Sequence, residues 1–421
     1  MKRRVLVSTA RELLRIVLRF DLPADVVISR YFRAHPQLGQ RDRHVLAESI
    51  YQIVRNLRLY RHLAQGASGA QDLHLLVLGW QGDAHGQLDE AFPAELLAWR
   101  EGILRFDLST LPPELRYSQP DWMAQALQAR GDLDGGEFEA LAQSLLQPAP
   151  LDLRVNLLKT TREAALAELR SLGIASETMR YSPWGLRVQG KPALNRSTLF
   201  TEGAIEVQDE GSQLLALLLA PRRGEMVADF CAGAGGKTLA LGAMMRNTGR
   251  LYAFDVAEHR LDKLRPRLAR SGLSNVYPVV IAHERDDRIQ RLAGKLDRVL
   301  VDAPCTGTGT LRRNPDLKWR LNEADVSKLA AQQASILKSA ATLLKPGGRL
   351  VYATCSLLPA ENWKIVAQFL RERADFTLHN AAETLAHQQV SFEPATDNLM
   401  LELLPHRHGT DGFFAAVMQR A

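Results

Sequence analysis

Apolar residues recur on one helical face through most of the first third of the chain. Thr9-Ala10-Arg11-Glu12 has the form of a capping box and predicts a helix start, with Leu13, Leu14, Val17 and Leu18 following on one face. Val45, Leu46, Ile50, Ile53, Val54 and Leu57 repeat the pattern with Arg43, Arg55 and Arg58 interspersed, and helical periodicity continues to about Leu146. Residues 1–146 are therefore predicted to be all-helical. Pro148-Ala149-Pro150 breaks the pattern, 151–155 alternates like a strand, and a helical run follows over 161–172, which predicts a small α/β module at 147–205. From Gly224 short apolar strands alternate with helices, placing strands at 226–230, 251–255, 276–281, 299–302 and 350–354, a helix at 327–344 and a turn at Lys345-Pro346-Gly347-Gly348. Segments 399–404 and 413–418 read as a closing hairpin. The predicted fold class is α/β: a mostly parallel, doubly wound, Rossmann-like sheet over 206–421, preceded by the helical domain and the small module.

Composition narrows the function classes. With 421 residues, 46% hydrophobic and 24% charged, the chain can bury cores for two or three domains. No apolar run is long enough for a membrane span, and the start, Met1-Lys2-Arg3-Arg4-Val5, leads into an amphipathic segment and not a signal core, so a cytoplasmic location is expected. Three cysteines, Cys231, Cys305 and Cys355, have no pair at metal-ligand spacing, which argues against a disulfide framework or a metal site. Thirteen Lys or Arg face five Asp or Glu in residues 1–62, so the net charge of +6 is concentrated at the N-terminus. A solvated basic face and an electrostatic footprint for nucleic acid both fit; the second is the preferred reading.

The first predicted strand ends in Asp229-Phe230-Cys231-Ala232-Gly233-Ala234-Gly235-Gly236-Lys237-Thr238, a glycine-rich turn opening a helix. Such a turn lets the backbone approach a ligand, and the helix N-terminus offers free N–H groups to an anion. A triphosphate loop is disfavoured because its first glycine would fall at Cys231. Asp255, ending the second strand, stands where an acidic side chain accepts hydrogen bonds from ribose hydroxyls. Alone, these features suit a dinucleotide and S-adenosylmethionine equally. Cys305 lies just past the fourth strand in Asp302-Ala303-Pro304-Cys305, and Cys355 just past the fifth in Ala353-Thr354-Cys355-Ser356, so both thiols are expected at one crevice.

At these residues the chain resembles the RNA cytosine-5 methyltransferases of the Nol-Nop-Sun, or Fmu, group. The match runs through Gln208-Asp209-Glu210-Gly211-Ser212-Gln213, residues 231–238, residues 302–316 with Lys318-Trp319, Ala353-Thr354-Cys355-Ser356 with Pro359-Ala360-Glu361-Asn362, and residues 409–414. Residues 1–146, with Arg41-Asp42-Arg43, are similar to the NusB-like RNA-binding extension of bacterial members, and residues 150–200 to their RNA-recognition-type module. The resemblance implies a class I methyltransferase domain that uses S-adenosylmethionine on RNA, with Cys355 as nucleophile, Cys305 assisting release and Asp302 contacting the flipped base and the cofactor. Carbon 5 of cytosine is a poor nucleophile, so a thiolate must first add at carbon 6. Lys237, Arg312 and Lys318 are the candidate cations that would favour that thiolate. The implied cofactor contacts are Cys231, Ala232, Gly233, Ala234, Gly235, Gly236, Lys237, Asp255 and Asp302.

Two features depart from the pattern. Gly233-Ala234 replaces the usual Ala-Pro, and Glu284 stands in for an acidic residue expected to contact adenine. Small-subunit ribosomal RNA is the preferred substrate and transfer RNA the next, with a monomer sufficient. Two alternatives are a DNA cytosine-5 methyltransferase, which would use Cys305 as nucleophile, and an RNA-binding assembly factor with a vestigial transferase domain.

Overall fold

The structure is a computed structural model describing residues 3–82, 88–393 and 399–421. Its packing divides the chain into two compact units, Met1–Pro148 with Thr310–Glu323, and Ala149–Gly309 with Ala324–Ala421. The helical prediction for 1–146 includes positions 1–2 and 83–87, which lie outside the described residues.

In the first unit, helices α1 (Arg3–Val17), α2 (Ala24–Ala34) and α3 (Gln40–Arg55) are followed by further helices of at most 11 residues. Leu13, Leu14, Leu46, Ile50, Ile53 and Val54 are fully buried, as the periodicity requires. The capping-box prediction fails. Thr9 lies inside α1, where its hydroxyl donates to the Val5 carbonyl one turn back, and the buried Leu6 and Val7 carry the apolar face towards the N-terminus.

Segment Thr310–Glu323 belongs to this helical unit although it follows the fourth strand of the sheet domain in sequence. The Lys318 ammonium donates to the carbonyls of Arg55 (2.7 Å) and Ser118 (2.6 Å), and the Trp319 indole donates to the Val54 carbonyl (2.7 Å). Two of the carbonyls left open at the C-terminus of α3 are satisfied in this way.

The second unit carries two sheets. Strands β1 (Leu151–Val155), β2 (Ser176–Thr178), β3 (Gly185–Val188) and β4 (Ile205–Val207) form an antiparallel sheet in the order β2-β3-β1-β4. It is joined by helix α4 (Arg162–Ser171), whose N-cap Thr161 accepts from the Ala164 amide. The larger sheet, eight-stranded among the described residues, contains β5 (Met226–Asp229), β6 (Arg250–Asp255), β7 (Val276–Val280), β8 (Leu296–Asp302), β9 (Leu344–Thr354), β10 (Phe376–His379), β11 (Leu401–Leu403) and β12 (Phe413–Arg420). Its order is β10-β12-β9-β8-β5-β6-β7, with β11 on β12; β5 to β9 are parallel and the three C-terminal strands antiparallel.

Alternate residues feed cores on the two faces. Val227, Leu300 and Val351 pack on one side, and Ala228, Val299, Val301, Leu350 and Tyr352 on the other. The expected 327–344 helix is α8, Glu323–Ala341, after α5 (Glu210–Leu219), α6 (Gly236–Met244) and α7 (Glu258–Ser271). The run 345–348 forms no separate turn. It sits inside β9 as a ladder irregularity, with Leu296 opposite Leu344 but Arg298 opposite Arg349. Gly347 takes a φ of +75° there.

Candidate active site

At the carboxyl ends of β5, β6, β8 and β9 lies a cavity of about 570 Å³. Parallel pairing places Val301 beside Tyr352 and Asp302 beside Ala353, so the chain leaves β8 and β9 at one level. Cys305 and Cys355, a few residues beyond, have their sulfur atoms 3.4 Å apart. Both line the cavity and both are free thiols. Contact with the Cys355 sulfur, together with burial, pushes the Cys305 thiol well above the ordinary cysteine range. Cys231, also on the wall, is pushed up chiefly by burial.

The glycine loop forms another wall. Gly235 has a φ of +82°, and a Cβ there would come within 2.1 Å of Leu264, so this position needs both the left-handed backbone and the absence of a side chain. It does not itself line the cavity, whereas Cys231, Ala232, Gly233, Ala234, Gly236 and Lys237 do. The Arg267 guanidinium, held by Glu206 on β4, donates to the Ala234 carbonyl and ties the loop to the antiparallel sheet.

Asp255 accepts from the Gly233 amide through one oxygen and the Ala257 amide through the other, both at 2.8 Å, and lines the cavity. Asp302 receives the Lys237 ammonium at 2.6 Å. Burial alone would lower the Lys237 pKa, but the Asp302 carboxylate outweighs it and the pKa rises. Glu284 also lines the cavity and accepts from the Ser335 hydroxyl (2.6 Å), which lowers its pKa.

Of the three candidate cations, Lys237 shares the cavity wall with Cys355. Arg312 and Lys318 belong to the helical unit. Lys318 is spent on the two carbonyls described above, and burial, reinforced by the Arg55 charge, depresses its pKa. The Arg312 carbonyl accepts from Arg55 and its guanidinium donates to the Pro148 carbonyl.

Two further acidic residues have no role that the sequence alone assigns. Asp229 lines the cavity at 1% exposure. One of its oxygens accepts from Thr238 (2.7 Å) and the other, Oδ1, is buried without a partner. Burial raises its pKa to about 7, with the Asp302 charge adding to the rise. Its signal in the sequence was its place at the end of the first strand. Glu361, fully buried, accepts from the Thr306 amide and hydroxyl on the Cys305 loop, from the Ser356 hydroxyl on the Cys355 loop, and from Gln333 on α8. Its only signal was its presence in the Pro359–Glu361 stretch.

Residues 216–419 match the model of the 16S rRNA methyltransferase RsmB/F family, and residues 119–195 match the ferredoxin-like domain of RsmF/B-like methyltransferases. A probable ribosomal RNA small subunit methyltransferase B of Synechocystis sp. is 32% identical, the alignment covering 97% of this chain and 98% of the relative. Among solved structures, that of PH0851 is 27% identical with a TM-score of 0.79 and covers 100% of this chain and 98% of its own. A methyltransferase homolog from Pyrococcus horikoshii is 31% identical with a TM-score of 0.64, over 75% of this chain and 100% of that one. A match over nearly the full length of both chains, carried on a Rossmann-like methyltransferase fold with a ferredoxin-like module and a helical N-terminal region, places the chain in the RsmB/F methyltransferase family.

Proposed function

We propose that the protein transfers a methyl group from S-adenosylmethionine to carbon 5 of a cytosine in small-subunit ribosomal RNA, through a covalent adduct with Cys355. The observation that carries this reading is the pair of sulfurs 3.4 Å apart on the wall of a cavity shared with the glycine loop and Asp255.

The residues present fit the cofactor. The unpartnered, buried Oδ1 of Asp229 suits a cationic group, Asp255 keeps lone pairs for ribose hydroxyls, and Cys231, Ala232, Gly233, Ala234, Gly236 and Lys237 line the same cavity. Glu284 is in reach of the same cavity for the adenine end. Bound there, S-adenosylmethionine supplies an electrophilic methyl group.

The chain's own part begins with Cys355. Its thiolate adds to carbon 6 of an extruded cytosine, forming a sulfur–carbon bond and moving the ring's π pair to make carbon 5 nucleophilic. After methylation the carbon 5 proton passes to water, its bonding pair restores the ring double bond, and the sulfur departs as a thiolate with the carbon–sulfur pair. Cys305, in contact with that sulfur, assists the departure. Lys237 holds Asp302 by a charge-assisted hydrogen bond, which fixes the carboxylate for the base. Residues 1–146 serve as an RNA-binding domain, 147–205 as an RNA-recognition module and 206–421 as the transferase. Loops, ends or bulges make the best targets, because extrusion there costs less than in a duplex.

Unmodified RNA incubated with the protein and methyl-labelled S-adenosylmethionine tests the proposal by nucleoside mass spectrometry. Wild type should make labelled 5-methylcytidine in 16S RNA. Cys355→Ala should make none and form no adduct, while Cys305→Ala should accumulate adduct. Label in any other nucleoside, or adduct lost in Cys305→Ala and kept in Cys355→Ala, would overturn the assignment; label confined to transfer RNA would move the substrate.

A further inference from the structure

The residue following each cysteine is bound to one buried carboxylate. The hydroxyl of Thr306, after Cys305, donates to Oε2 of Glu361 at 2.5 Å, and the hydroxyl of Ser356, after Cys355, donates to the same oxygen. Oε1 accepts the Thr306 amide (2.9 Å) and the side-chain amide of Gln333 (3.0 Å), which also donates to the Pro304 carbonyl (2.9 Å). Glu361 is fully buried. Four donors converge on its two oxygens, so a carboxylate is matched to the site where an amide is not: Gln would turn an N–H donor towards groups that are themselves donating.

A second set of bonds joins the same loops. The Gly309 amide donates to the Cys355 carbonyl (2.9 Å), the Leu357 amide to the Thr308 hydroxyl (2.8 Å), and Asn362 donates to the Ser356 carbonyl (2.9 Å). These would hold the backbones together without Glu361. The Thr306 and Ser356 hydroxyls also lie 3.2 Å apart, and Glu361 is the common acceptor that holds both, one residue from each sulfur.

We propose that Glu361 is a positioning residue that sets the Cys305–Cys355 separation and thereby governs release of the methylated base from Cys355. This rests on the covalent reading above. Glu361 touches no substrate on this account and acts through Thr306 and Ser356. A buried, fully satisfied network of this kind fixes geometry because the loss of any member costs the others hydrogen bonds in a buried site. A small displacement of one sulfur is enough to uncouple the release step while the cofactor wall, built on the glycine loop, is undisturbed.

The experiment uses the full chain as wild type, Glu361→Gln, Thr306→Val and Thr306→Ser, with two readouts. The first is independent of catalysis: the rate at which the azo oxidant diamide links Cys305 to Cys355 in the protein alone, followed by peptide mapping. The second is turnover on RNA, with kcat, KM and the fraction of protein held as covalent adduct. Glu361→Gln and Thr306→Val should slow the linkage and lower kcat by about tenfold to 100-fold, with KM within about twofold and adduct increased. Thr306→Ser keeps the hydroxyl and should behave as wild type, which separates hydrogen bonding from folding should Glu361→Gln prove unstable. Equal linkage rates in Thr306→Val and Thr306→Ser, or a loss confined to KM, would overturn the proposal. Absence of 5-methylcytidine and adduct in wild type would instead sink the covalent reading, and the linkage rates would still judge the positioning claim.

Discussion

The two sides of the cavity are built on opposite plans. On the glycine side, at the ends of β5 and β6, backbone amides do most of the binding and the carboxylates are left with capacity to spare: Asp255 takes two amides, and Asp229 keeps a buried oxygen with no partner. On the cysteine side, at the ends of β8 and β9, Glu361, Thr306, Ser356 and Gln333 satisfy one another. An unpaired buried acceptor is costly, and its persistence beside a cavity marks where a ligand completes the hydrogen bonding. A closed network does the reverse: it holds reacting groups in place before any ligand arrives.

The sharpest way to break the glycine side is at Gly235. Ala there combines a left-handed backbone with a Cβ 2.1 Å from the buried Leu264. Strain and overpacking together should cost about 2–4 kcal/mol of folding stability, and cofactor affinity should fall as the loop shifts. Chemical denaturation and calorimetric titration measure both. A change below about 0.5 kcal/mol would mean that the loop yields easily and that the comparison overstates its rigidity.

A smaller effect tests the spare oxygen of Asp229, whose pKa is raised from 3.8 to about 7 by burial, with the Asp302 charge adding. Between those values the unfolded chain is ionised while the folded one keeps its proton, so this group makes folding stability fall as pH rises through the window and level off above about 7. A cationic ligand group favours the ionised form. Binding of S-adenosylmethionine should therefore release a proton below pH about 7, with affinity rising towards that pH and flattening above it. Titrations in buffers of different ionisation enthalpy count the proton. Asp229→Asn should abolish the dependence, and an equal proton count in wild type and variant would place the ligand's positive charge elsewhere.

Legibility from sequence divides along the same line. The glycine loop, Asp255 and the two cysteine loops were readable because each is a local signal at a strand end, and β5 to β9 followed from runs of β-branched and apolar residues. The role of Glu361 was not readable, since its partners Thr306 and Gln333 lie 55 and 28 residues away in the chain. Lys318 was misread as a cation for the thiolate for the same reason: its position after the Cys305 motif suggests the site, yet its ammonium caps α3. Thr9 shows the limit of a local motif too, because nothing in Thr9-Ala10-Arg11-Glu12 reveals that the apolar face already begins at Leu6. Strands β2, β3, β4 and β10 are three or four residues long and carry too little pattern to register.

Gly233 provides the mildest test of the comparison, and it isolates conformation from crowding. Its φ of +55° is left-handed like that of Gly235, but a Cβ at this position would meet nothing within 4 Å. Gly233→Ala should therefore cost only the backbone preference, about 1 kcal/mol, offset in part because Ala restricts the unfolded chain. The amide that donates to Asp255 is kept, so cofactor affinity should stay within about threefold of wild type, equivalent to less than about 1 kcal/mol. The resemblance noted in the sequence, in which Ala is usual at this position, points the same way. A loss at Gly233 as large as that at Gly235 would show that both glycines are needed for their backbone angles, and that the contact with Leu264 is incidental; a small loss at Gly233 beside a large one at Gly235 would assign the difference to the packing of the loop against α7.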